Sequence, residues 1–203
     1  MTVVQLVVES ANEFVKHSRN KPQIPSQASN IRTRGHDTII WSPPTRNFLK
    51  LNVDAHPCDD GCWGLGLILR SEDGGCVRAA TRLVRGSYET LEGEALGLQA
   101  AMKFVESKGI QQVVIEMNTQ TIVNAVNRRR YPRNYWGRIA RHCGEFLTQN
   151  PRSSVRWTRR SGNEAAHILA NWASFEPNKV WANETPLCIW ACIQKDKALC
   201  NLS

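Results

Sequence analysis

Leu49-Lys50-Leu51-Asn52-Val53-Asp54 reads as a strand that ends in a carboxylate, just before a Gly-rich hairpin. Residues 63–70 read as a second strand ending at the turn Glu72-Asp73-Gly74-Gly75, and residues 76–84 return as a third. Three sequential strands joined by short turns make an antiparallel meander. The spacing of Leu91, Ala95, Leu98, Met102 and Val105 then predicts a helix over 90–107, which Gly109 stops. An apolar, β-branched strand follows at 112–117, and Asn118-Thr119 suits the cap of a helix over 120–128. Pro132 opens a further helix over 133–147. Residues 154–158 read as a fifth strand. Residues 163–174 read as a last helix, with Ala166, Leu169, Ala170 and Ala173 inward. The order β-β-β-α-β-α-α-β-α predicts an α/β domain: a mixed five-stranded sheet with helices on both faces.

Outside that block the pattern changes. Residues 2–17 have Val4, Val7, Val8, Ala11, Phe14 and Val15 near helical spacing, which predicts a short amphipathic helix. Residues 20–37 turn to Pro, Gln, Ser, Asn and Arg, the composition of a linker. The expected organisation is an N-terminal helix and linker over 1–40, a globular domain over 41–175, and a C-terminal extension over 176–203 that carries Trp181 and Trp190.

Composition narrows the function classes. The chain has 203 residues, 41% of them hydrophobic and 22% charged, as in a globular rather than a disordered protein. Lys and Arg number 26 against 18 acids, a net charge of +8, which favours a polyanionic partner. Arg128, Arg129, Arg130, Arg133, Arg138 and Arg141 crowd one stretch; Arg152, Arg156, Arg159 and Arg160 crowd another. Tyr131, Tyr135, Trp136 and Trp157 interleave with them, a combination that suits nucleic acid. A solvated helix face is the competing reading for these positions. The seven cysteines have no framework spacing, so reduced thiols in an intracellular protein, nuclear or cytoplasmic, are expected. No apolar run is long enough to span a bilayer, and the first residues lack the features of a secretory leader, so neither membrane insertion nor secretion is expected.

A set of short motifs makes the reading specific. Trp41-x-Pro-Pro leads to Leu49–Asp54. Gly64-Leu65-Gly66-Leu67-Ile68-Leu69-Arg70, Glu92-Gly93-Glu94-Ala95-Leu96 and Val114-Ile115-Glu116-Met117-Asn118 follow, and then Arg160-Ser161-Gly162-Asn163-Glu164-Ala165-Ala166-His167-Ile168-Leu169-Ala170. In this order and spacing, over about two-thirds of the chain, they resemble the ribonuclease H domain, in particular the plant form related to retrotransposon reverse transcriptases. The resemblance implies a ribonuclease H-like fold and a site in which four carboxylates hold two Mg²⁺ (or Mn²⁺) ions for hydrolysis of the RNA strand of an RNA–DNA hybrid. Carried over by position, Asp54 is the first acid and Glu92 the second, both as metal ligands. Glu94 is the rival of Glu92, because two residues on a helix turn about 200° and both cannot face the site. The third acid falls on Asn118, and the fourth on His167, an imidazole that suits Zn²⁺ or Mn²⁺ better than Mg²⁺. Glu116, Asp59 and Asp60 are the acids near enough in sequence to substitute.

The resemblance therefore implies a monomeric nucleic-acid-binding domain, for RNA–DNA hybrid or another duplex, with impaired cleavage. Arg128, Arg129, Arg130, Arg133, Arg138 and Asn118 are its expected contacts. Two alternatives stand beside it: an active hybrid ribonuclease with Asp54, Glu92, Asn118 and His167 at its centre, and a non-catalytic scaffold that binds protein.

Overall fold

The computed structural model describes residues 41–58 and 61–200. The expected N-terminal helix, the linker, Asp59 and Asp60 lie outside them. Strands β1 (Leu49–Cys58), β2 (Cys62–Arg70) and β3 (Cys76–Arg85) form the meander. Then come α1 (Thr90–Ser107), β4 (Val113–Met117), α2 (Gln120–Asn127), α3 (Tyr135–Gln149), β5 (Ser153–Trp157), a 3-10 turn (Arg160–Gly162) and α4 (Glu164–Trp172). The five expected strands are joined by a sixth. β6 (Val180–Ala182) pairs antiparallel with β3, and α5 (Leu187–Cys200) follows it. Three residues are too few to show a period of two, which is why β6 leaves no pattern in the sequence.

The sheet order is β5-β4-β1-β2-β3-β6, with β1–β4 and β4–β5 parallel. β1 is thus central, and its alternation separates two environments. Leu51, Val53 and Ala55 enter a core shared with α1, α2 and α3. Lys50, Asn52, Asp54 and His56 point to the other face. There α4 and α5 bury a smaller core of Ile68, Ala79, Ala165, Ala166, Leu169, Trp181, Ile189 and Ile193.

Gly64 and Gly66 explain how α4 comes so close to β2. A Cβ on Gly66 would run into the backbone of Ala166 and Ala170, and one on Gly64 into Ala170 O. The glycines of the hairpin after Asp54 are therefore packing sites under a helix. Their side of β2 is closed to nucleic acid.

The segment after Phe175 is integrated through Arg70. This arginine is 1% exposed, its Nη1 lies 2.6 Å from Asp196 Oδ2 on α5, and its Nε donates to Gly74 O at 3.2 Å. Its guanidinium lies 3.4 Å from the centre of the Trp41 ring. No helix among the described residues is long and apolar enough to cross a membrane.

Candidate functional site

Asp54 lies on the polar face of β1, 3% exposed. Its Oδ2 is 2.7 Å from Nδ1 of His167, which α4 carries across that face. On the far side of the ring, Arg160 Nη2 is 2.8 Å from Nε2. A guanidinium only donates, so Nε2 accepts, and the ring proton sits on Nδ1 and is donated to Asp54. Asn171, one turn further along α4, donates to the carbonyl oxygen of His167 at 2.8 Å. His56, two residues beyond Asp54, meets His167 edge to face at 6.0 Å. Burial and then the neighbouring His167 push its pKa down, against the opposing charge of Asp54.

A buried amide network holds α4 in register with β1. Trp41 Nε1 donates to Asn52 Oδ1 at 2.9 Å, and Asn52 Nδ2 reaches Asn163 Oδ1 at 3.1 Å and Glu116 Oε2 at 3.2 Å. Asn163 Nδ2 in turn donates to Val53 O at 2.9 Å. Asn163 immediately precedes α4, so this network sets where His167 arrives one turn later. Glu116 is also paired with Lys50 Nζ at 2.7 Å. It is held by that network and is not available as a substitute acid.

The helix acid differs from the expectation. Glu92 accepts from the backbone N–H of Ser87 at 3.0 Å and from the Ser87 hydroxyl. It stands three residues after the N-cap Glu89 of α1 and reaches back to the preceding loop, as in a capping box. The acid beside Asp54 is Glu94. Burial pushes its pKa up to about 8; the charge of Asp54 adds to the rise, while a hydrogen bond from Thr119 and the charge of Arg160 oppose it. Glu92, the expected metal ligand, is taken up in these contacts at the first turn of α1, and Glu94 is the acid that lies beside Asp54. Glu92→Ala is therefore expected to cost about 1 kcal/mol of stability in a urea titration. Binding of nucleic acid should be unchanged; a selective loss of binding would overturn the capping role.

Glu94 makes stability depend on pH. In the unfolded chain it ionises near pH 4.3, whereas in the folded domain it keeps its proton up to about pH 8. Its contribution is fully present below the lower value and is lost as pH rises through the higher one. Glu94→Gln should therefore raise the melting temperature over wild type by more at pH 9 than at pH 5. Equal differences at the two pH values would contradict this.

Asn118 follows the last residue of β4, and its Oδ1 is buried without a hydrogen-bond partner. Glu94 Oε2 is in the same condition. Asp54, Glu94, Asn118 and His167 thus gather where β1, α1, β4 and α4 converge. Among the described residues no three His, Cys, Asp or Glu side chains are placed to hold a metal ion on their own.

A family model described as reverse transcriptase-like matches residues 52–173. The chain belongs to the reverse transcriptase-like family. Solved structures place its fold with the ribonuclease H domains. RNase H1 of the halophilic archaeon Halobacterium salinarum superposes with a TM-score of 0.56 at 23% identity, covering 63% of this chain and 98% of that one. The LC11 RNase H1, solved in complex with an RNA/DNA hybrid, gives 0.54 at 17% identity over 61% of this chain and 94% of that one. An N-terminal RNase H domain from Mycobacterium tuberculosis gives 0.54 at 19%, covering 62% and 91%. None of the curated proteins compared with the chain matches it.

In this reverse transcriptase-like domain the arginine stretch runs from the end of α2 into α3. Arg128, Arg129, Arg130, Arg133 and Arg138 are all exposed, and Arg129 turns the chain in the left-handed region at φ 52°. Arg133, Arg138 and Arg141 join Tyr135 and His142 around a surface cleft of about 660 Å³. Arg138 lies 5.3 Å from the Tyr135 ring and Arg141 5.7 Å from that of Tyr131. Sequence reasoning missed the positioning pair Asn52 and Asn163, and it left Arg160 and Asn171 without roles. The spacing Arg160, Asn163, His167, Asn171 is the signal that was available, since the last three lie one helical turn apart.

Proposed function

We propose that this domain binds RNA–DNA hybrids, with a cation site too weakly charged for efficient two-metal hydrolysis. The observation that carries the reading is the state of the four converging side chains. Asn118 brings no charge, His167 brings no carboxylate and occupies Asp54 Oδ2, and Glu94 keeps its proton at neutral pH. Asp54 alone is left to balance two divalent ions. The exposed arginines and the stacked tyrosines supply the sequence-independent grip on phosphates that a hybrid needs. Neighbours of the same fold include one solved with an RNA/DNA hybrid, which supports the choice of duplex.

The donors fit one hard cation better than two. Glu94 Oε2 and Asn118 Oδ1 are buried oxygens in want of a partner, and oxygen is the ligand Mg²⁺ and Mn²⁺ prefer. Asp54, Glu94 and Asn118 would hold such an ion, which would supply Lewis acidity at a bound phosphate. That pair of unpartnered oxygens favours a second reading, residual cleavage in Mg²⁺ or Mn²⁺.

Labelled hybrid titrated at rising salt tests the proposal. Binding should weaken linearly on a log–log plot, with cleavage in Mg²⁺ near background. Cleavage by the wild type that Asp54→Asn abolishes would establish the second reading. Absence of binding at low salt would sink both and leave the protein-binding scaffold.

A further inference from the structure

Trp157, one of the aromatics interleaved with the arginines, is a large exposed ring beside Asn118 of the site. It ends β5, opposite Met117 in the parallel ladder, and its Nε1 donates to the carbonyl oxygen of Asn118 at 3.2 Å. Thr158 N donates to Met117 O at 3.0 Å, so the strand is still paired at that point. The indole is therefore tethered at its polar edge and anchored at its backbone, yet the residue is 44% exposed. Tryptophan in a fold usually buries more than this, and ring area left open on a fixed frame is available for stacking.

Its surroundings say what would stack there. Val155, two residues earlier, enters the core on the side of α2, so Trp157 stands on that same side of the sheet. Asn127, the last residue of α2, donates to Val155 O at 3.1 Å, and the run Arg128, Arg129, Arg130 begins at the next residue. Trp157 thus lies between Asn118 and the arginine run. Arg159, two residues further on, is exposed and not ion-paired to a carboxylate among the described residues, whereas Arg156 points to the opposite face of the strand. A rigid, exposed ring with Arg159 two residues along the chain and the arginine run beginning after Asn127 suits a nucleobase with its phosphates, and a base can present its face only where it is out of a duplex.

We infer that Trp157 is a stacking platform for an unpaired nucleobase adjoining the bound duplex, so that the domain prefers the junction where a hybrid passes into single strand. The inference rests on the hybrid-binding reading above and names the part of the substrate that reading leaves open.

The test compares a blunt RNA–DNA hybrid with the same hybrid carrying a short single-stranded extension at either end. Both are labelled and titrated in EDTA, so that cleavage does not intervene. Wild type should bind one extended hybrid about tenfold more tightly than the blunt one, the scale of one base stacked on an aromatic ring. Trp157→Ala should bring the extended hybrid to the blunt level and leave blunt affinity unchanged. Trp157→Phe should keep most of the preference. Equal affinity of wild type for all the hybrids, or a preference that survives Trp157→Ala, overturns the platform and leaves hybrid binding standing. Binding of none of them overturns both.

A second measurement does not depend on the variant folding. Iodouracil placed at the first unpaired position should photo-crosslink to Trp157 in the wild type, as mapped by peptide mass spectrometry. A crosslink confined to other residues overturns the inference.

Discussion

Asn118→Asp together with His167→Asp is expected to turn the domain into a Mg²⁺-dependent nuclease, cutting the RNA strand of a hybrid about 10²-fold faster than the parent or more. Asn118→Asp is nearly isosteric and places charge at an oxygen already buried beside Glu94 without a partner. His167→Asp removes the imidazole that occupies Asp54 Oδ2 and frees that oxygen. Four carboxylates would then face one another, and without a cation they would repel. Mg²⁺ should therefore raise the melting temperature of the double variant far more than that of wild type, because the ion binds only the folded form. Two additions identify the helix acid. Glu94→Gln in the double variant should abolish cleavage, and Glu92→Gln should leave it largely intact. The reverse pattern would restore Glu92 to the site and refute the assignment to the cap. A double variant that gains Mg²⁺-dependent stability but no cleavage would point to Arg160, whose guanidinium would then compete with the ion for the new carboxylate.

The second large effect lies at the far end of β2, where Arg70 meets Asp196 of α5. Asp196→Ala is expected to destabilise the domain by about 3–5 kcal/mol, because it leaves the Arg70 guanidinium buried without its counter-charge. Burial, with a smaller push from the charge of Glu164, raises the Asp196 pKa, and the hydrogen bond and charge of Arg70 work against that rise. Replacing both partners by apolar residues, Arg70→Met with Asp196→Leu, should recover most of the loss, since the pair itself contributes little beyond its own desolvation. Urea unfolding of the single and double variants decides this. Additive losses in the double variant would mean that each residue acts through contacts other than the pair.

Most of the fold can be read from the sequence because its elements carry strong periods. α1 repeats its apolar face over eighteen residues, and β1 to β3 are long strands with turn residues between them. β6 was hidden because it is short, and α5 because its apolar residues do not gather on one face. Asp54, Asn118 and His167 lie on a strand, after a strand and on a helix in the order expected, although β1 runs on past Asp54 to Cys58 instead of ending at the carboxylate. Between Glu92 and Glu94 the expectation went to Glu92, whereas Glu94 lies beside Asp54. Helical rotation says only that one of the two faces the site; which one depends on where the loop before α1 needs a cap, and that is set by the Ser87 contact in three dimensions. Asn52 and Asn163 were invisible for a related reason. Each is an ordinary polar residue until the chain brings the two together across 111 positions.

The Arg70–Asp196 pair also bears on how the protein is made. The two residues are separated by 126 positions, so Arg70 leaves the ribosome long before its partner has been synthesised. During that interval β2 carries a guanidinium that no buried environment can accept. α4 can cover β1 and β2 before then, but the end of β2 around Arg70 cannot close until α5 has emerged. The domain should accordingly acquire protease resistance late in translation, in one step as the stretch around Asp196 appears.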